Sequence, residues 1–395
     1  MKVLTILDTN SRYGTANHML AVACGLAKRG MEVHAAFPKV SGTDSMISDC
    51  EAVGVTYWSL NGSFGKLPKL GPVIPCLRTL RLLSAVRPDV VQITAGVAGI
   101  WGPAMACAFH NAPTLVVFQG GSTVRPMSRL RLQQLSWARG RRQRWMAVSQ
   151  QNQRVLQETY RTKFGEIGLL HNGIDISLGN RAINAEAREV VRREVREELQ
   201  LPLESKLLMT TARLDSGKGH SDLLEIMPAV IKEFPEARFL WAGDGKHRED
   251  LESQARREGV ADYVRFLGYR GDVIRLLHAS DLLVFPSHAE GGCSSAIREA
   301  MVHKLPIVCS DAGGIPEVVH HQVHGLVFPL KDTKAMMVQL REALRDLGQM
   351  RHLADQARKR IEEFSSERMI ENYFSVFREL AAAGQRHGLR GDSAV

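Results

Sequence analysis

Acidic residues are scarce in the first half of this 395-residue chain: residues 1–180 hold 20 Lys and Arg against 9 Asp and Glu, whereas the remainder holds 31 against 33. The formal charge of +9 therefore lies wholly in the first half, which points to an anionic surface or acceptor as its partner. Cysteine is also sparse. The six copies, at 24, 50, 76, 107, 293 and 309, include no C-x-x-C pair, which argues against a zinc site or a disulfide scaffold and fits a reducing, cytoplasmic setting. No Asp-x-Asp and no His-Glu-x-x-His occurs, so neither motif supports a divalent metal, and no metal or other cofactor is expected. Gly217-Lys218 does not make a P-loop, because the first glycine of that motif would fall on Ala212 and Gly219 takes the Ser/Thr place. No nucleic-acid module is recognisable, and no nucleic-acid partner is expected.

Long hydrophobic runs are missing too. The opening M-K-V-L-T-I-L-D is too short an apolar run for a signal peptide and reads as a buried strand. No charged residue occurs between Asp89 and Arg125, yet Gln92, Pro103, His110, Asn111 and Pro113 interrupt that stretch. It is expected to fold as strand, helix and strand inside a sheet, not as a membrane span.

What is present is a soluble composition, 44% hydrophobic and 24% charged, in a chain long enough for two domains. Strand and helix patterns alternate twice, first from Val3 to Asp175 and again from Leu207 onward. The fold class expected is α/β: two facing Rossmann-like, doubly wound parallel-sheet domains with a cleft between them. The boundaries predicted are 1–176 for the first domain, 177–366 for the second and 367–395 for a C-terminal helix with a frayed tail. That helix carries Met369, Ile370, Tyr373, Phe374, Phe377 and Leu380 on one side, a face expected to pack back on the first domain.

The stretch Phe285–Glu317 has the anatomy of a ligand site: strand end, Gly-rich turn, helix opening with Ser294 and Ser295, second strand, second Gly-Gly turn. Gly291, Gly292, Gly313 and Gly314 allow backbone to approach a ligand, and Glu290, Glu299 and Glu317 offer acceptors for sugar hydroxyls. Arg213 and Lys218, beside a helix start, suit a diphosphate whose charge grows as it leaves. Gly243-Asp244-Gly245 forms a turn suited to closing over a nucleotide base. In the first half, Gly14 ends one loop, and Gln119-Gly120-Gly121-Ser122 follows another strand on the same sheet edge.

Several of these pieces occur in the order found in one family. Arg213 with Lys218-Gly219-His220, Gly243-Asp244-Gly245, Phe266-Leu267-Gly268, Ala279-Ser280-Asp281, Phe285-Pro286-Ser287, Glu290-Gly291, Glu299-Ala300-Met301 and Gly313-Gly314-x-Pro316-Glu317 span roughly 207–330. Over that span the chain resembles the GT4 group of retaining glycosyltransferases, which have the GT-B fold. The resemblance implies an NDP-sugar donor on the second domain and an acceptor near Gly14 and Gln119–Ser122 on the first. It also implies that Arg213 and Lys218 hold the diphosphate, that Glu299 takes the ribose hydroxyls, that Glu290 or a neighbouring backbone group contacts the sugar, and that Gly313-Gly314 lies near the phosphates. Three features depart from the family pattern. Eight residues, Gly291 to Arg298, separate the glutamates where seven are usual, the first loop reads Tyr13-Gly14 where many members have Gly-Gly, and Gln119 stands where many carry histidine.

The activity implied is sugar transfer to an acceptor hydroxyl with retained configuration, in the synthesis of a cell-envelope glycan or glycolipid. Two readings stand beside it: a GT-B-type NDP-sugar epimerase, and a non-catalytic, membrane-associated scaffold. Arg125, Arg129, Arg131, Arg139, Arg141, Arg142 and Arg144, with Trp137 and Trp145, form the densest basic run. It reads either as a dock for the inner face of an anionic membrane or for a phosphorylated acceptor, or as a plain solvated surface.

Overall fold

The computed structural model of the protein describes residues 1–9, 14–40, 42–60, 73–95, 100–120, 128–160, 166–181 and 184–388. Its contacts divide the chain into two units, Met1–Gly173 with Ser366–Val395, and Ile174–Ser365.

The first unit runs β1 (Lys2–Leu7), α1 (Gly14–Ala27), β2 (Glu32–Phe37), α2 (Asp44–Glu51), β3 (Thr56–Ser59), α3 (Val73–Val86) and β4 (Val90–Ala95). It continues with α4 (Trp101–Phe109), β5 (Thr114–Phe118), α5 (Arg129–Arg139), β6 (Gln143–Ala147), α6 (Gln150–Tyr160) and β7 (Ile167–Leu169). The strands form one parallel sheet in the order β3-β2-β1-β4-β5-β6-β7. The charge-free stretch after Asp89 is β4, α4 and β5, and among the described residues no helix is long and apolar enough to cross a membrane. Ser128 caps α5 by accepting from the Arg131 amide at 3.4 Å, and Ser149 accepts from the Asn152 amide at 3.0 Å at the start of α6.

Side chains alternate along β1, so each sheet face gains its own core. Leu4 and Ile6 pack with Leu83 of α3, Ala104 of α4 and Leu135 of α5. Val3 and Leu7 face the other way, toward Met19 and Leu26 of α1. The sheet is thus covered on both sides, as a fully parallel sheet must be.

The second unit repeats the scheme. It comprises α7 (Ala185–Glu198), β8 (Lys206–Thr211), α8 (His220–Glu233), β9 (Ala237–Ala242), α9 (Arg248–Arg257), β10 (Val264–Gly268) and α10 (Val273–Ala279). Then follow β11 (Leu282–Phe285), α11 (Ser295–Val302), β12 (Ile307–Ser310), β13 (Leu326–Phe328), α12 (Thr333–Arg345) and α13 (Leu347–Arg360). Its parallel sheet has the order β10-β9-β8-β11-β12-β13. Leu282 and Val284 of β11 join one core, Leu283 and Phe285 the other.

The last helix, α14 (Ser366–Gly388), belongs to the first unit. Met369, Ile370, Tyr373, Phe377 and Leu380 are buried among Leu20, Ala23 and Leu26 of α1, and Tyr373 meets buried His18 through a 2.7 Å hydrogen bond. Burying side chains of this size contributes about 1.5–3 kcal/mol each, enough to hold a helix so far along the chain from its partners.

Candidate functional site

In both units the strand order reverses beside the first strand, between β1 and β4 and between β8 and β11. Loops leaving the carboxyl ends of adjacent strands diverge there, which opens room for a ligand. In the second unit, the loops carrying the candidate residues follow β9, β8, β11 and β12, four neighbouring strands of that sheet.

The loop after β8 is folded upon itself. The Asp215 amide donates to the Arg213 carbonyl at 2.8 Å and the Lys218 amide to the Asp215 carbonyl at 3.0 Å. Arg213, 55% exposed at its side chain, pairs with Asp215 at 2.6 Å. Gly219 then enters α8 with φ +71°, and a β-carbon there would lie 1.8 Å from the Pro286 carbonyl oxygen. Only glycine combines that dihedral with that contact. The approach lets the Gly217 carbonyl accept from the His288 amide at 2.9 Å and brings it within 3.2 Å of the Ser287 hydroxyl oxygen.

The side chains of these two loops meet as a result. Lys218 Nζ lies 2.5 Å from Glu290 Oε1, and Ser287 Oγ donates to the same carboxylate oxygen at 2.7 Å. Both members of the ion pair are largely withdrawn from solvent, with 19% and 11% of their side chains exposed. Ser310, at the end of β12, donates to the Ser287 carbonyl at 2.5 Å. Gly313, with φ +54°, places its α-carbon where a β-carbon would come 1.9 Å from the Glu290 carbonyl oxygen. The structure thus joins Lys218, Glu290 and Gly313 in one constellation.

Gly243-Asp244-Gly245 packs on the β8 loop. The Leu214 amide donates to the Asp244 carbonyl at 3.1 Å, and the Asp244 carboxylate is turned onto the Gly245 amide at 2.8 Å. Gly291 and Gly292 lead into α11, whose N-cap Ser294 makes no side-chain capping bond, while Ser295 is exposed. Gly314 opens the short turn Ile315–Glu317. Glu299, on α11, is half-buried, and burial pushes its carboxyl up to about 7 against the opposing pull of Arg298.

Two partners have no sequence signal because their contacts are long-range: Ser310, bonded to the Ser287 carbonyl 23 positions away, and Asp222, which holds His288 at 2.6 Å from 66 positions away and so commits that imidazole to the loop rather than to a ligand. Burial, reinforced by nearby Lys218, brings the His220 imidazole down to about 4, so it packs as a neutral ring against Trp241.

In the first unit, Gly14 is the exposed first residue of α1. The Gln119 side chain is reciprocally bonded to Asn172, at 3.1 and 2.8 Å, and the Gly120 carbonyl accepts from Asn152 at 3.2 Å. Tyr13, Gly121, Ser122 and Arg125 lie outside the described residues. The basic run needs one correction. Trp145 is a core residue packed on Phe118 and Tyr160, because β6 is an interior strand and Trp145 faces inward. Arg139 and Arg144 pair with Glu166 and Glu379, each at 2.6 Å, while Arg129, Arg131 and Arg141 remain exposed.

Two Rossmann-like units, each with its candidate residues on the carboxyl edge of a parallel sheet, define a GT-B glycosyltransferase architecture. The chain belongs to the GT4-type glycosyltransferases: residues 13–178 match the model of Glycosyltransferase Family 4, and residues 205–346 that of Glycosyl transferases group 1. It is 26% identical over 185 residues to the N-acetyl-alpha-D-glucosaminyl L-malate synthase of Bacillus anthracis, covering 47% of this chain and 48% of that protein. The chain spans about half the length of the curated relatives it matches. A glycosyltransferase from Rickettsia africae superposes with a TM-score of 0.82 at 16% identity, over 96% of this chain and 98% of that one. Anabaena HepE, solved in complex with UDP, superposes with a TM-score of 0.80 at 18% identity, over 96% of this chain and all of its own (100%).

Proposed function

We propose that the protein transfers a sugar from an NDP-sugar to an acceptor hydroxyl with retained anomeric configuration, without a metal. The observation that carries this reading is the Lys218–Glu290 pair at the switch point of the second sheet, with half-buried Glu299 on the helix that follows. The UDP bound by Anabaena HepE supports a nucleotide donor for a chain of the same fold. In the reaction, the bond between the anomeric carbon and the diphosphate oxygen breaks as the acceptor oxygen bonds to that carbon. The acceptor's proton passes to a leaving phosphate oxygen, and retention follows if both events occur on one face of the sugar. Lys218, Arg213 and the amides at the start of α11 take up the charge growing on the diphosphate. Glu299 accepts from the ribose hydroxyls and Glu290 from the sugar. Gly14, Gln119 and Gly120, with Gly121 and Ser122, serve the acceptor. A thermal-shift screen of UDP-, GDP- and ADP-sugars tests the reading, since a ligand of the folded state raises its stability by about 2.7 kcal/mol at a hundred times Kd. One nucleotide series should shift the midpoint, and an acceptor should then gain one sugar in mass. Failure of every nucleotide overturns the donor assignment, and isomerised free donor with no acceptor product points to an epimerase.

The acceptor we infer is a cell-envelope glycan or glycolipid met at an anionic membrane from the cytoplasmic side. Trp137 and Phe109 are exposed and meet in a tilted pair with ring centroids 5.3 Å apart, with Arg141 over the Trp137 ring at 5.8 Å and exposed Leu130 on the same helix as Trp137. An aromatic pair rimmed by arginine suits a headgroup layer. Phosphatidylglycerol vesicles should retain the protein in low salt and release it in high salt, with weaker retention for Trp137→Ser. Absence of salt-sensitive retention removes the membrane from the reading.

A further inference from the structure

A cavity of about 530 Å³ lies in the first unit, at the opposite end of the sheet from Gly14 and Gln119. Its lining includes Asp89, Pro113 and Arg142, which immediately precede β4, β5 and β6 and so mark the amino ends of three adjacent strands. Arg378, Ala381 and Ala382 of α14 also line it. Strands of five or six residues separate this edge from the carboxyl edge by about 15–20 Å. A ligand seated here does not touch the loops given to the acceptor.

The charge arrangement is selective. Neighbouring Arg139 and Arg144 have carboxylate partners, whereas among the described residues none pairs with Arg142 or Arg378. Arg142 is held instead by donating to the Asn111 carbonyl at 3.1 Å, and Arg378 lies over the Phe374 ring at 5.8 Å. Arg142 sits at φ +58°, a left-handed conformation that glycine or asparagine adopts at less cost. Asp89 accepts from the Lys2 amide at 2.7 Å, which leaves its carboxylate further acceptor capacity.

We propose that this cavity binds a soluble phosphorylated sugar. Arg142 and Arg378 take the phosphate oxygens, Asp89 accepts from a sugar hydroxyl, and Pro113, Ala381 and Ala382 give the low walls. The volume lies within the roughly 300–1,000 Å³ of small-molecule sites. Because α14 supplies one side and the strand ends the other, the ligand ties the end of that helix to the sheet and raises the unit's stability.

Calorimetric titration of the full chain with fructose 6-phosphate tests this, with fructose and inorganic phosphate as comparisons. Fructose 6-phosphate should bind, inorganic phosphate more weakly, and fructose not at all. Arg378→Gln and Arg142→Asn should each weaken binding by about tenfold or more, the loss of a charge-assisted hydrogen bond. Asn accommodates the left-handed backbone. Ala381→Leu keeps both charges and a good helix former, and should block binding while leaving the circular dichroism unchanged. The proposal is overturned if the wild type fails to bind at millimolar sugar phosphate, or if Arg378→Gln and Ala381→Leu both bind normally. It is equally overturned if Lys218→Ala abolishes the binding, which would place it in the second unit. Binding of phosphatidylglycerol vesicles that is lost in the two arginine variants, with no binding of fructose 6-phosphate, would assign the site to a lipid headgroup instead.

Discussion

Lys218→Ala should lower sugar transfer by about a thousandfold, the cost of removing one preorganised charge from a developing anion, while the protein stays folded. The structure complicates the obvious version of that experiment. Lys218 is also the ion-pair partner of Glu290, and the pair is largely shielded from solvent. Removing one member of such a pair leaves the other uncompensated, at a cost of up to about 3 kcal/mol. Ser287 still donates to Glu290 and lowers that cost, but some loss of stability in Lys218→Ala is expected. Glu290→Gln separates the two effects. If Lys218 acts only by holding Glu290, the double variant recovers stability and transfers no more slowly than Glu290→Gln alone. If Lys218 acts on the diphosphate, the double variant recovers stability alone and transfer stays about a thousandfold below that of Glu290→Gln. Lys218→Arg should not rescue, because a bulky planar guanidinium places its charge differently from the compact ammonium that Lys218 sets beside Glu290. Near-normal turnover by a folded Lys218→Ala removes Lys218 from the reaction.

The same pair shows where reading the sequence reaches its limit. Alternating apolar runs with helical stretches between them made both parallel sheets legible, because a strand buried on both faces writes itself as a short apolar block. The i, i+4 spacing of apolar residues from Met369 to Leu380 likewise announced α14 and its packing. Several elements escaped, among them α2, whose sequence Asp44–Glu51 is mostly polar with only Met46 and Cys50 buried, and β3, where no residue is fully buried. Periodicity carries no signal for an element with so little apolar face.

At the site, glycines gave away where the loops are but not what constrains them. Gly313 read as a place for a ligand to approach backbone, and Gly219 as one residue of the Lys218-Gly219-His220 motif. In the folded chain each instead lets one loop press on another, Gly219 on Pro286 and Gly313 on Glu290. The two meanings look alike in sequence, because both require the absence of a β-carbon. The bonds from Ser287 to Glu290 and from His288 to Asp222 depend on that packing, and the second joins residues 66 positions apart, so neither could be read beforehand. Trp145 misled for the reverse reason. Its neighbours Arg142 and Arg144 made it look like part of a basic surface, whereas strand alternation turns it inward.

Glu299→Gln should stabilise the protein without ligand at pH 8 and weaken its hold on the nucleotide, two effects of opposite sign from one atom change. Burial raises the Glu299 carboxyl from 4.5 to about 7. A folded-state value above the unfolded one means that between these limits the folded chain holds more proton than the unfolded chain. Stability therefore falls as pH rises from 4.5 toward 7, and a shift of that size amounts to about 3 kcal/mol. The glutamine variant lacks this loss, so its melting temperature should exceed that of the wild type at pH 8 and nearly match it at pH 5. Nucleotide binding should run the other way. A carboxylate that accepts from two ribose hydroxyls must be ionised, so wild-type affinity should strengthen as pH climbs through about 7. Glutamine offers one acceptor and no charge, which should weaken binding about tenfold to a hundredfold and flatten its pH profile. A glutamate that served only the packing of α11 would change the melting curve alone. If the melting temperature rises at pH 8 while nucleotide affinity and its pH profile stay those of the wild type, Glu299 does not hold the ribose.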